Sequence, residues 1–168
     1  MKRHFLWFLI STFVIVIFKL SIMYEAVKNL HSYWAYLVLL ILIIAVANAL
    51  IKAFGDKEYE AKDFRIALFT LIVSHLQLLI GLVLYFISPR LQMFSELGMG
   101  GVMKDAVNRL YLVEHPFINI IAIALITIGY SKHKKKLTSK AKTKTIAIFY
   151  TIALVLFLSR IPWSAWLG

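Results

Sequence analysis

Three histidines lie in or beside long apolar stretches of the 168-residue sequence: His31, His75 and His115. An ionisable side chain at membrane depth costs about 2.5–3.5 kcal/mol on insertion scales, so each one is by default a hypothesis about function. The other two histidines differ, because His4 belongs to a basic N-terminal flank and His133 to a lysine-rich loop. Imidazole binds metals and carries protons. The sequence therefore offers three histidines for a metal or cofactor site, or for proton transfer.

The helical neighbours of His31 and His115 are small residues and amides. Residues three and four apart share one face of a helix. Small residues and amides mark a face that packs on other helices, since lipid supplies no hydrophobic drive for helix association. We therefore predict that His31 and His115 point into a bundle, and we expect the same of His75. The neighbours concerned are Ala35, Ala45 and Ala49 for His31, Asn119, Ala122 and Gly129 for His115, and Ser74, Gln77 and Gly81 for His75.

The elements that must position these residues are membrane-spanning helices. The sequence is 61% hydrophobic and only 16% charged, with a mean hydropathy of +0.82, whereas soluble domains carry about 25% charged residues. Four stretches reach the length of about 20 apolar residues that a span requires: residues 33–54, 66–87, 110–130 and 145–161. The sequence predicts an all-α integral membrane helical bundle with four core transmembrane helices in residues 24–168.

The first 23 residues form a separate hydrophobic segment. Residues 5–18 are apolar, follow Lys2 and Arg3, and precede Lys19. A signal peptide has a similar composition, but no A-x-A type cleavage site follows here. We expect an uncleaved fifth span over residues 4–23, with a non-essential extension and a translation start at Met23 as the alternatives.

The net charge of +11 lies mainly at the ends of the spans. Seven lysines fall within residues 131–145, between two apolar stretches. Because positive residues concentrate in cytoplasmic loops, we expect loop 131–145 in the cytoplasm of a bacterial inner membrane and the C-terminus outside. The lysines therefore report topology, and we expect no nucleic acid as a partner.

Depth favours His31 and His115 as a pair. His31 lies at the outer boundary, and His115 lies about 8 Å inside it at about 1.5 Å per residue. His75 lies about 18 Å down, past the middle of the membrane. If the helix that carries His31 begins a turn earlier, through residues 27–30, the pair becomes level. Two facing imidazoles are what six-coordinate haem b requires.

Two further residues are candidates for cofactor binding. Arg160 lies at the same outer level and could pair with a haem propionate, although Glu114 competes for it. Asn119 shares the face of His115. The absence of cysteine excludes thiolate metal sites and covalent haem attachment.

Two other functions stay open. In a haem-free structural or assembly subunit, Glu114 would pair with Arg160 and the histidines would hydrogen-bond across helices. In a proton or solute pathway, His75, Asn48, Gln77 and an outer histidine would form a relay. A hydrolase is disfavoured, because no H-E-x-x-H, G-x-S-x-G or Walker motif is present.

Several blocks of the sequence resemble a family of small bacterial inner-membrane proteins that are commonly labelled cytochrome b or cytochrome b-like. The resemblance covers about residues 23–163 and implies a four-helix core with His31, His75 and His115 as the candidate ligand set. Family members often carry an arginine shortly after the first histidine, where this sequence has Tyr33 and Trp34. The blocks are SHLQLLIGLVLYFISP, GVMKDAVNRLYLVEHPF, ALITIGYSKHKK and TIAIFYTIALVLFLSRIPW, together with His31 and Ser32.

The sequence and the resemblance together predict a small b-type cytochrome or cytochrome-like accessory subunit. We expect one-electron transfer through a bis-histidine haem b near the outer face. The expected partners are the lipid bilayer and a quinol or a membrane oxidoreductase. A closed six-coordinate iron has no open position for a substrate, so we expect electron transfer or an accessory role rather than a stand-alone enzyme.

Overall fold

The computed structural model describes the backbone of residues 2–167 and the side chains of residues 12 and 18–166. This part of the chain is 90% helical and contains no strand, which confirms the all-α prediction. The elements are α1 (Lys2–Phe54), α2 (Ala61–Ile87), a 3-10 turn (Pro89–Gln92), α3 (Met93–Lys104), α4 (Ala106–Arg109), a π-helical turn (Leu110–Glu114), α5 (His115–Lys134), α6 (Ser139–Ser159) and α7 (Trp163–Leu167).

Four helical stretches are long and apolar enough to cross a membrane: Phe18–Phe54, Ala61–Ile87, Ala106–Lys134 and Ser139–Ser159. They confirm the four core spans. All four are longer than the apolar stretches that predict them, because helical hydrogen bonding continues into the residues at their ends. The third span joins α4, the π-helical turn and α5 without a break.

The start of the chain differs from the expected arrangement of helices. A separate fifth span needs a turn between residues 23 and 33, whereas α1 is one helix of 53 residues from Lys2 to Phe54. Residues 24–32 contain no glycine or proline, and Lys28 pairs with Glu25 one turn earlier, so nothing interrupts the helix there. The fifth span itself falls on residues whose side chains lie largely outside those described, and it stays a prediction.

The four spans form a ring in which each helix has two neighbours. α1 packs on α2 and α6, and α5 packs on the same two helices. α1 and α5 therefore lie diagonally opposite each other. The interior is filled by Leu42, Ile126 and Tyr150, all fully buried, and the Tyr150 hydroxyl donates to the Ala67 carbonyl across 3.0 Å.

The outward faces of the spans are apolar. Each of the four contributes large exposed hydrophobic side chains. A soluble bundle would carry charged residues on these faces, whereas a bilayer solvates apolar ones. The surface therefore fits a lipid bilayer. Examples are Ile43, Leu79, Phe117 and Val155.

Gly129 sets the distance between α5 and α6. A Cβ atom at this position would lie 2.5 Å from the Cβ of Phe149, which is closer than carbon atoms approach without displacement. Only glycine lets the two helices pack this closely.

We expect Gly129→Ala to lower the free energy of unfolding by about 1–3 kcal/mol, because α6 must move away from α5. Gly100→Ala is the matched control, since no atom lies within 4 Å of a Cβ at that position. It should have no effect or stabilise by up to about 1 kcal/mol through helix propensity. Thermal unfolding in detergent measures both, and equal melting temperatures for the two variants would contradict the close packing.

Candidate functional site

The structure brings His31 and His115 together inside the bundle. Their ring centroids lie 6.1 Å apart at an interplanar angle of 70°. α1 extends well before residue 27, so His31 lies inside the helix and not at its start. This earlier helix start is the condition under which His31 and His115 were expected to lie at the same depth. The two rings come from the diagonal helices α1 and α5, so they meet near the axis of the bundle rather than at a helix–helix seam.

His115 is held by two hydrogen bonds. Its Nδ1 lies 2.7 Å from the carbonyl oxygen of Arg160, at the end of α6. The nitrogen must donate here, because a carbonyl only accepts. Nε2 then keeps its lone pair, and the Nδ2 of Asn119 lies 3.2 Å from Nδ1 and 3.1 Å from Nε2, so this amide approaches the ring from its face. This tautomer follows from the partners of the ring, and it leaves Nε2 as the nitrogen that can bind a metal.

An irregular turn precedes His115. Residues Leu110–Glu114 form a π-helical turn, and such turns are frequent at functional sites. Pro116 has no N–H to donate to the Leu112 carbonyl one turn earlier. The Tyr85 hydroxyl of α2 donates to that carbonyl instead, across 3.1 Å. The sequence E-H-P thus creates a local backbone gap, which a side chain from the neighbouring helix fills.

α2 supports His31. The Nε2 of Gln77 donates to the His31 carbonyl across 3.0 Å and lies 3.4 Å from the His31 Nε2. One turn further along, a Cβ at Gly81 would lie 3.0 Å from the Cε1 of His31. Gly81 therefore leaves space for the ring.

Among the described residues, three buried polar atoms of this layer have no hydrogen-bond partner: His31 Nδ1, Gln77 Oε1 and Asn119 Oδ1. Leaving a buried polar group unpaired costs about 1–3 kcal/mol. We define the histidine layer as His31, Gln77, His115 and Asn119. Its side chains come from three helices and carry unused hydrogen-bonding capacity.

Glu114 lies beside the histidine layer between two arginines. The Nε of Arg109 donates to it across 2.9 Å, and the Nε of Arg160 lies 3.5 Å from its other oxygen. The expected competition for Arg160 is therefore present in the structure. One carboxylate shared by two guanidinium groups leaves a net positive charge at this end of the layer.

His75 lies outside the histidine layer. We expected it to point into the bundle, but its side chain is exposed on α2. Its Nδ1 bonds the Leu71 carbonyl at 2.8 Å, and its Nε2 lies 3.5 Å from the hydroxyl of Thr127. Gln77 follows two residues later, about 200° around the helix, so the two side chains cannot share a face. The relay proposed for His75, Asn48 and Gln77 is not assembled in the described part of the chain.

A buried ion pair at the opposite end of the bundle was not predicted from the sequence. Lys52 of α1 donates to Asp63 of α2 across 2.7 Å, and the two residues are only 6% and 4% exposed. Asn48 donates to the Oδ1 of Asp63 across 2.8 Å. The backbone N–H of Glu60 donates across 2.6 Å to Oδ2, the oxygen that also accepts from Lys52. The spacing of four residues between Asn48 and Lys52, which places both side chains on one face of α1, was the available signal.

His133 is also placed differently from the sequence prediction. We assigned it to the lysine loop, yet it is 1% exposed. The rings of Tyr130, Tyr59 and Phe64 surround it at centroid distances of 5.1, 5.7 and 6.0 Å. Burial raises the pKa of Tyr59, so its hydroxyl stays neutral. The signal was the three-residue spacing from Tyr130, which places both side chains on one face of α5.

The comparisons with known proteins give no relative. No family model, curated protein or solved structure matches this chain. The resemblance to cytochrome b-like proteins therefore rests on the sequence blocks alone. Within the described residues, no group of three or more His, Cys, Asp or Glu side chains is arranged to hold a metal ion.

We expect Asp63→Ala to lower the free energy of unfolding by about 3–5 kcal/mol, because it leaves the Lys52 ammonium buried without its carboxylate. Glu25→Ala removes the partner of Lys28 in an exposed pair and should cost less than about 1 kcal/mol. Unfolding of both variants in the same detergent measures the difference. Equal losses would show that the Lys52 pair contributes no more than a surface pair.

Proposed function

We propose that this chain is a small b-type cytochrome-like protein that binds haem b between His31 and His115 and transfers single electrons. The observation that carries this proposal is the 6.1 Å separation of the two ring centroids across the bundle. The setting we propose is the bacterial inner membrane, with the lysine loop in the cytoplasm and the histidine layer towards the outer face.

The separation fits two imidazoles on one metal ion. A metal–nitrogen bond to histidine is about 2.0–2.1 Å long and the ring centre lies about 1.1 Å behind the nitrogen, which puts the two centres about 6 Å apart. All four spans contribute groups around the two histidines, as helices do around the haem in other bundles. A haem takes only two ligands from the protein, so the absence of a larger ligand cluster among the described residues does not conflict with it.

The partners of His115 also fit a ligand role. Metal-bound histidines typically donate their other ring N–H to a carboxylate or backbone carbonyl, which fixes the tautomer. The bond from His115 Nδ1 to the Arg160 carbonyl has this form. On the opposite side, His31 has a buried Nδ1 without a partner and a glycine beside its ring. Both rings thus have a nitrogen available for binding.

The remaining residues of the site would position the group and balance its charge. Arg109 and Arg160 supply more positive charge than Glu114 neutralises, which suits propionates. Bound haem would supply one-electron chemistry at a potential tuned by the buried site. With haem held by His31 and His115, the chain would pass electrons between a quinol or other membrane donor and a partner oxidoreductase, without a substrate site of its own.

One observation favours a second function, that of a haem-free structural or assembly subunit. Gln77 and the carbonyl of Arg160 already hydrogen-bond across helices to the two histidine residues. Such bonds can hold transmembrane helices together without any cofactor.

Absorbance spectra of the chain purified from haem-replete cells test the proposal. We expect resolved visible bands on reduction, lost in His31→Ala and in His115→Ala because each removes one axial ligand. His75→Ala is the matched control and should keep the bands, since its ring lies on the outer face of α2. Wild-type protein without haem bands, or bands lost only in His75→Ala, would contradict the proposal.

Asn119→Ala provides a graded test. It removes the amide that contacts the His115 ring but keeps both ligands. Partners that orient a ligating histidine typically contribute 10–100-fold to metal affinity. Asn119 contacts the His115 ring but does not accept from its Nδ1–H, so we expect a loss at the lower end of that range, about tenfold, while the positions of the bands are retained. A haem titration measures the change. Unaltered affinity would show that Asn119 has no part in the site.

A further inference from the structure

The lysine-bearing end of the bundle has a large excess of positive charge. Seven lysines lie within residues 132–144, and the chain has no acidic residue after Glu114. Of these seven lysines, only Lys140 pairs with a carboxylate among the described residues, that of Asp56, across 2.6 Å. The hydrogen bond from Lys140 holds the pKa of Asp56 below its usual range. One acid for seven lysines leaves most of this charge uncompensated by the protein.

The helix termini compensate for only part of this charge. Lysines at the end of α5 interact favourably with its negative dipole end. Those in the first turns of α6, however, lie at a positive dipole end, and its first turn contains no acidic residue. Anions from outside the protein are therefore needed to balance this surface.

Three of the lysines are positioned by aromatic rings. Lys132 lies over Phe149 with its Nζ 5.4 Å from the ring centroid, and Lys134 lies over Tyr130 at 4.9 Å. Lys142 lies over Tyr59 at 5.4 Å. A cation over an aromatic face gains about 0.5–1 kcal/mol at exposed sites, which keeps these ammonium groups along the sides of the helices. We call Lys132, Lys134 and Lys142 the ring lysines.

The ring lysines lie where two spans end, at the level where a bilayer changes from hydrocarbon to headgroups. Clusters of lysines immediately beside spans attract anionic lipids. The aromatic rings beneath them are also typical of this interface. We propose that the ring lysines bind the phosphate groups of anionic phospholipids, and that bound lipid supplies the negative charge that the chain lacks at this end.

The binding of phosphatidylglycerol and of phosphatidylcholine to the purified full chain tests the proposal. Native mass spectrometry after titration in detergent gives both affinities. We expect wild-type protein to bind phosphatidylglycerol at least about tenfold more tightly, with the preference falling as salt is raised. Equal affinities for the two lipids, or a preference that salt does not change, would overturn the proposal without any variant.

Two triple variants locate the site. Each lysine near an anionic surface contributes about fivefold to binding. Replacing all three ring lysines with glutamine should therefore weaken phosphatidylglycerol binding about 100-fold. The control replaces Lys135, Lys136 and Lys144, which are exposed, and changes the net charge equally. It should weaken binding less than about fivefold, whereas equal losses in both variants would show diffuse charge attraction and overturn the assignment to the ring lysines.

Discussion

Polar side chains inside this bundle need partners on other helices, because the surrounding lipid offers none. Two layers meet this need at two well-separated levels of α1 and α2. At one level Gln77 bonds to His31, and at the other Asp63 bonds to Lys52 and Asn48. The two layers lie about 30 Å apart along α1 at 1.5 Å per residue. Together they fix the antiparallel register of the two helices over the full width of a membrane.

The ring arrangement of the spans explains why the histidines meet. α1 and α5 are diagonal, so side chains that point inward from both reach the axis of the bundle rather than each other's backbone. The other two helices then complete the layer, α2 with Gln77 and α6 with the carbonyl of Arg160. A site to which all four helices contribute depends on the whole fold. This dependence makes the layer suited to hold a rigid cofactor, and also sensitive to changes in helix packing.

Hydropathy predicted the four spans, since about 20 apolar residues in a row leave few other structures possible. The depth of His31 and His115 predicted their pairing, because depth depends only on the rise per residue. The prediction that His75 points into the bundle was wrong. Its neighbours Ser74 and Gln77 lie on other parts of the helix circumference, and a polar neighbour in sequence does not show which face is buried.

The end of the bundle that contains Asp63 and His133 was harder to predict for a different reason. Asp63 and His133 lie next to loops, where composition indicates exposure. Their burial depends on the tertiary contacts of α1, α2 and α5, which no local pattern contains. α1 also continues through residues 24–32 without interruption, since this segment lacks residues that stop a helix.

The electron paramagnetic resonance spectrum of the oxidised, haem-loaded wild-type chain tests the central claim most directly, because the spin state of ferric iron reports both axial ligands. Two histidines should give a low-spin signal with one haem per chain, as the pairing of His31 and His115 predicts. A high-spin signal, which indicates an open axial position, or a chain that takes up no haem at all, would contradict the account.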